Sequence, residues 1–274
     1  MKLNYSVEQL KEMAHTIRVD IVESLYAAGS GHPGGSLSAA EILSVLFFHE
    51  MDVDPQNPHW EDRDRFVLSK GHAAPVYYAA LAERGFFPKE WLNTLRKIDS
   101  PLQGHPDRKK VPGVDMSTGS LGQGISAAAG MACFGKKENK DFRVYCVVGD
   151  GEAQEGEVWE AMMSAAHYKL SNLTVFLDNN NLQIDGAVDQ VMSIYPIKEK
   201  CEAFGWYTLE ADGNDVEQLL TALDAARSQT EKPTMIICRT VKGKGVSFME
   251  NQAGWHGAAI SKDHYEVAIK DLKG

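Results

Sequence analysis

The sequence predicts an α/β fold, a mostly parallel sheet flanked by helices, forming one domain over residues 1–274. Three observations carry this expectation. The apolar, β-branched runs Val144-Tyr145-Cys146-Val147-Val148 and Leu173-Thr174-Val175-Phe176-Leu177 end in Gly149-Asp150-Gly151 and in Asp178-Asn179-Asn180-Asn181, and runs bounded in this way read as buried parallel strands. Between them, residues 154–168 place Val158, Ala161, Met162 and Ala165 at helical spacing. Strand-like and helix-like segments then alternate along the rest of the chain, which implies right-handed crossovers.

In chain order, Ser6 and Gln9 match a capping box, and Val7, Leu10, Ala14, Ile17, Ile21 and Leu25 form an apolar stripe running to Gly29. A second box, Ser38 with Glu41, is expected to open a helix carrying Ile42, Leu43, Val45 and Leu46. Ser30-Gly31-His32-Pro33-Gly34-Gly35-Ser36 lies between the two helices. Residues 65–68 read as a short strand ending in Ser69-Lys70-Gly71-His72-Ala73, residues 75–84 as a helix, and residues 88–96 as another helix before the loop Gln103-Gly104-His105-Pro106. Thr118-Gly119-Ser120-Leu121-Gly122-Gln123-Gly124 leads into a helix so poor in large side chains that it needs close packing to persist. A helix at 197–204, a strand at 207–210, a helix at 216–227 and a strand at 234–238 follow. The last strand opens into Val241-Lys242-Gly243-Lys244-Gly245, then Trp255-His256-Gly257 stands in a loop and residues 261–272 close as a helix.

Composition narrows the function. A net charge of −10 argues against a nucleic-acid or anionic-membrane surface. No run of ~20 apolar residues exists to span a bilayer, and the amino terminus lacks a signal-peptide core. The four cysteines, Cys133, Cys146, Cys201 and Cys238, show no paired spacing for zinc or redox work and are expected to be small buried side chains in a reducing cytoplasm. No internal repeat, low-complexity tract or linker divides the 274 residues, of which 43% are hydrophobic.

Open α/β sheets bind ligands at the carboxyl ends of their strands, where Asp150 and Asn180 stand thirty positions apart. Glycines around Asp150 let backbone approach a diphosphate. The Asp150 carboxylate and the Asn180 amide oxygen are hard ligands suited to Mg²⁺. A lone Gly-Asp-Gly usually marks a turn; the Asn loop at strand–helix–strand distance is what strengthens the signal. Of nine histidines, four stand in glycine-flanked loops, His32, His72, His105 and His256. Imidazoles gathered on one sheet edge suit proton movement and carbonyl polarisation. His15, His49, His59, His167 and His264 are read as structural or surface residues, Glu152 and Glu157 as first-turn helix charges, and Lys244 as a solvated loop lysine.

The Asp150–Asn180 pattern resembles the thiamine diphosphate fingerprint. With the loops around His32, His72, His105, Gly119 and His256, and with Gln154-Glu155-Gly156, the chain resembles the amino-terminal half of transketolase, motif by motif and in order. The resemblance implies thiamine diphosphate with Mg²⁺, for which Ca²⁺ or Mn²⁺ could substitute. It places His72, Gly119, Ser120, Leu121, Asp150, Gly151, Asn180, Leu182 and His256 against the cofactor, and Asp150, Asn180 and the Leu182 carbonyl on the metal. His32, His105 and His256 would face the reacting sugar, and Glu155 would join a carboxylate network at the subunit interface that links cofactor sites. Ser120 stands where the family often has proline, a change that should spare backbone contacts.

The implied activity is transfer of a two-carbon ketol unit between ketose and aldose phosphates, in carbohydrate metabolism of the pentose phosphate pathway. In this enzyme class, a second α/β domain supplies the glutamate that activates the cofactor, and the sequence offers no segment to build that domain. A split enzyme is therefore expected: a cytoplasmic amino-terminal subunit working with a carboxy-terminal subunit that carries the pyrimidine-binding domain, as an α₂β₂ heterotetramer. Alternatives are a two-chain transketolase specialised for a modified sugar, deoxy or sulfonated, and the α subunit of a 2-oxoacid dehydrogenase. The histidine loops argue against the dehydrogenase, and the 69–73 loop argues against deoxyxylulose-phosphate synthase. Intact Asp150, Asn180 and loop histidines argue against a scaffold that has only kept the fold.

Overall fold

A computed structural model describes residues 2–274. The first helix, α1 (Val7–Ala28), has the expected capping box: Ser6 and Gln9 satisfy each other's backbone N–H groups. It stops at Gly29, whose φ of 62° is the left-handed cap that glycine adopts without strain. Leu10, Ile17, Ile21 and Leu25 on its stripe are fully buried, each worth ~1.5–3 kcal/mol relative to exposure.

The next segment departs from expectation. Residues 33–37 form a short helix, α2 (Pro33–Leu37), and α3 (Ala40–Val45) begins with no side-chain cap. Ser38 does not open a capping box: its hydroxyl donates to Gly35 O and to the Asp178 carboxylate, while Glu41 is drawn into a buried ion pair with Arg18. Both side chains have partners that outbid the local cap.

Strand β1 (Arg65–Leu68) and helix α4 (Ala74–Arg84) follow. The helix expected over 88–96 is only a 3-10 turn, Lys89–Thr94. Leu95 and Leu92 turn inward, and Arg96 takes a φ of 61°, which no helix accommodates. Then come α5 (Gln123–Lys137), β2 (Val144–Gly149), α6 (Gly156–His167), β3 (Leu173–Asn179), and a two-residue antiparallel pair, β4 (Leu182–Gln183) with β5 (Gly186–Ala187). Helices α7 (Val188–Val191) and α8 (Ile197–Ala203), strand β6 (Tyr207–Asp212), helix α9 (Val216–Ser228), strand β7 (Thr234–Arg239) and helix α10 (Lys262–Lys273) complete the chain.

The five main strands lie parallel in the order β1-β2-β3-β7-β6. Alternate residues feed two separate cores. Phe66, Tyr145, Val147, Phe176 and Ile236 face α1, α3 and α4; Val67, Cys146, Val175, Leu177 and Ile237 face α5 and α6. The small residues of α5 serve close approach, as expected: a Cβ on Gly124 would lie 2.5 Å from Ser69 Oγ. Three cysteines are buried, but Cys133 is half-exposed on α5. Among the described residues, no helix is long and apolar enough to cross a membrane.

Candidate active site

Several of the loops that the sequence marks for chemistry leave the carboxyl edge of this sheet. Ser69-Lys70-Gly71-His72 follows β1, Asp150 follows β2, Asn180 and Leu182 follow β3, and Lys242 follows β7. They line a cleft of about 120 Å³ whose walls include His72, Leu121, Asp150, Asn180, Leu182 and His256.

Asp150 is 2% exposed. It accepts hydrogen bonds from the N–H groups of Gly151 (2.8 Å) and Asn181 (2.5 Å), the latter residue in a left-handed turn at φ 58°. Burial, and then the nearby Asp178 charge, push its carboxyl up to about 7 despite those two donors. A buried carboxylate so poorly compensated suits a cation. The Asn180 amide oxygen accepts from Leu182 N at 3.1 Å, and the Leu182 carbonyl accepts from Lys242 Nζ at 2.9 Å. One carboxylate, one amide oxygen and one main-chain carbonyl form an all-oxygen set, which fits a hard divalent ion that keeps phosphate and water ligands.

Three of the four loop histidines meet. The rings of His32, His72 and His256 have centroids 5.0–5.6 Å apart. Burial, followed by neighbouring positive charge, depresses His32 and His256 to about 4 and holds His72 well below its ordinary value. All three rings are therefore neutral near pH 7, each able to donate at one nitrogen and accept at the other. His105 is exposed and stands against Gly119, where a Cβ would come within 3.0 Å of the imidazole. Ser120 is exposed beside the cleft, and Gly151 lies on its wall against Gln183. Glu155 stands apart from the histidine group, exposed at the start of α6 beside Gly122.

The sequence model described as "Transketolase, thiamine diphosphate binding domain" matches residues 9–273. The chain belongs to the transketolase family. It is 42% identical to the 6-deoxy-6-sulfo-D-fructose transketolase subunit SqwG of Clostridium sp. (strain MSTE9), over 96% of both chains. It is 48% identical to mouse transketolase, over 97% of this chain but 42% of that protein. Transketolase from Campylobacter jejuni superposes with a TM-score of 0.92 at 34% identity, over 98% of this chain and 43% of that one. The chain thus spans about two-fifths of these full-length transketolases and nearly all of the SqwG subunit.

The cleft of this transketolase chain also contains residues that sequence reasoning passed over. Lys242 is buried, donating to the Leu182 carbonyl and lying 3.0 Å from His256 Nδ1. Burial lowers its ammonium to about 8, although Asp150 and Asp178 oppose the shift. Attention to glycine-flanked lysines could have found it, but Lys244, the lysine considered there, is half-exposed and pairs loosely with Glu250. Asp178 accepts from Lys70 Nζ, Ser38 Oγ and Thr240 Oγ1. Burial alone would raise its carboxyl; Lys70 and the hydroxyls hold it below the usual range.

Glu152 corrects a reading. It opens a short 3-10 turn rather than the first turn of α6, which begins only at Gly156, and at 2% exposed it is buried among hydrogen-bond donors. Its carboxylate accepts from Ser69 Oγ and from the N–H groups of Gly122 and Gly149. A glutamate three residues beyond a strand end looks like a helix N-terminus in sequence, and nothing local reveals the distant donors.

Proposed function

We propose that this chain is the cofactor-holding half of a two-chain transketolase, which moves a two-carbon ketol unit from a ketose phosphate to an aldose phosphate with thiamine diphosphate and Mg²⁺, or Ca²⁺ or Mn²⁺ in its place. The observation that carries the reading is the convergence of Asp150, Asn180 and Leu182, from adjacent strand ends, on the cleft that His72 and His256 also line. Asp150, Asn180 and the Leu182 carbonyl hold the metal. His72, Gly119, Ser120, Leu121 and Gly151 shape the cofactor seat, with Lys242 supplying positive charge towards the diphosphate. Once bound, thiamine diphosphate supplies the electron sink for carbon–carbon cleavage next to a carbonyl. The neutral rings of His32 and His256, with His105 at the rim, bind sugar hydroxyls and exchange protons with them.

Residues 1–274 act as one diphosphate-binding domain in this proposal, and a partner chain with a pyrimidine-binding domain closes the cleft, in an α₂β₂ assembly in the cytoplasm that serves the pentose phosphate pathway. Glu155, exposed beside Gly122, is placed to join a carboxylate network across the subunit interface. The near-complete coverage of the SqwG subunit supports the split arrangement, and the sulfonated sugar in that relative's name supports a second reading, a modified sugar such as a sulfonated or deoxy ketose. Purified alone, the chain should show no ketol transfer, and adding the partner should restore it; appreciable turnover by the single chain would refute the split site. Donor competition between sugar phosphates and a sulfonated ketose on the restored enzyme separates the two substrate readings.

A further inference from the structure

We propose that Glu152 is a positioning residue whose carboxylate sets the spacing of three loops that form the cofactor seat; the inference rests on the thiamine diphosphate reading above. Glu152 follows β2 in a single 3-10 turn. One carboxylate oxygen accepts from Ser69 Oγ (2.5 Å) and from Gly122 N (2.9 Å); the other accepts from Gly149 N (3.0 Å). Ser69 opens the loop that delivers Lys70 and His72, Gly122 follows Leu121, and Gly149 precedes Asp150. The three donors thus come from three separate segments, and each is within three residues of a side chain that lines the cleft.

Thr118 Oγ1 also ties the Gly119 segment to the end of β1 by donating to Leu68 O at 2.7 Å, whereas Glu152 joins all three segments at once. The loops touch where side chains have been deleted: a Cβ on Gly71 would lie 2.7 Å from Gly119 N, and one on Gly124 would lie 2.6 Å from Ser69 Cα. Glycines permit that approach but do not define it. A bidentate acceptor does, because both oxygens must face hydrogen donors at once. Glutamine at 152 could offer only one acceptor oxygen, so its NH₂ would meet either Gly149 N–H or the Ser69–Gly122 pair. Aspartate, one methylene shorter, could not reach both sides.

A residue that merely satisfies buried N–H groups would affect stability and leave affinity alone, and this separates the two roles. Thiamine diphosphate with Mg²⁺ should be titrated calorimetrically into the full chain assembled with its partner subunit, at a temperature where each variant is folded by circular dichroism. Glu152→Gln should weaken cofactor binding ~10–100-fold, as loss of an outer-sphere orienting group typically does, and kcat at saturating cofactor should fall far less than the cofactor KM rises. Ser69→Ala, which removes one arm only, should weaken binding less, and the double variant should lose no more than Glu152→Gln alone. That second variant decides the matter should Glu152→Gln not fold. Wild-type affinity in the folded Glu152→Gln or in Ser69→Ala overturns the inference, whereas a wild-type assembly that does not bind thiamine diphosphate overturns the functional reading beneath it.

Discussion

The Lys70 ammonium is sealed against the Asp178 carboxylate beneath the cleft, the two side chains 2% and 0% exposed. Lys70 also donates to Gly35 O at 2.6 Å, and Asp178 collects hydroxyl donors from Ser38 and Thr240. One ion pair therefore ties α2, the end of β3 and the loops after β1 and β7 to a common point.

Removing the cation should be costly. Lys70→Met strands Asp178 in the interior, and loss of one partner of a buried pair typically costs ~3–5 kcal/mol. Urea denaturation at neutral pH measures this directly. A loss of under ~1 kcal/mol, the range of exposed pairs, would mean that Asp178 is compensated by its hydroxyl donors alone.

Lys242→Met should act on binding rather than folding. Its ammonium lines the cleft between the Leu182 carbonyl and His256, and a charge-assisted hydrogen bond from it to a bound phosphate would be worth ~1.5–3 kcal/mol. Affinity for thiamine diphosphate should fall by at least ~10-fold, with little change in the denaturation midpoint of the free protein. Unchanged affinity would remove Lys242 from the cofactor seat. The same substitution at Lys244 should leave affinity unaltered.

The depressed histidines predict a pH dependence with a definite sign. In the unfolded chain His32 and His256 take up protons near 6.5, whereas the folded chain resists until about 4. The unfolded state thus binds more protons within that window, so stability falls as pH drops through it. Denaturation midpoints measured between about pH 7 and pH 4.5 should decline less steeply in His32→Asn than in the wild type. Equal slopes would contradict the burial of a neutral ring at this position.

Two glycines should behave in opposite ways. A methyl on Gly71 would drive into the Thr118–Gly119 backbone, 2.7–2.8 Å away, whereas one on Gly130, within α5, meets nothing within 4 Å. Gly71→Ala should therefore cost ~1–3 kcal/mol and impair cofactor binding. Gly130→Ala should stabilise the free chain by ~0.5–1 kcal/mol through helix propensity. Thermal denaturation of both variants, with a cofactor titration of the first, checks the pair.

Local patterns made most of this architecture legible. The Ser6–Gln9 box, the apolar strand runs and the Asp150–Asn180 spacing each draw on neighbours within a few turns of chain, and the elements lie where those patterns put them. Two of the failures share one cause. Ser38 and Glu152 carry the right side chains for helix starts, but partners 140 and 83 residues away claim them, and sequence spacing does not encode such contacts. Residues 88–96 have helical composition but are bent by inward-turned leucines and a left-handed Arg96. Lys242 was hidden differently, since its importance comes from where β7 ends, beside β3 rather than beside its neighbour in sequence, β6 alone.

The most direct measurement is a calorimetric titration of thiamine diphosphate into the assembled protein, with Mg²⁺ and with excess chelator, for the wild type and Asp150→Ala. Asp150 is the one buried carboxylate in the oxygen set formed with Asn180 and Leu182. Binding should be strong and metal-dependent in the wild type, and lost in the variant while the fold persists. Equal affinity in the two proteins, or binding indifferent to the metal, would contradict the assignment of this cleft.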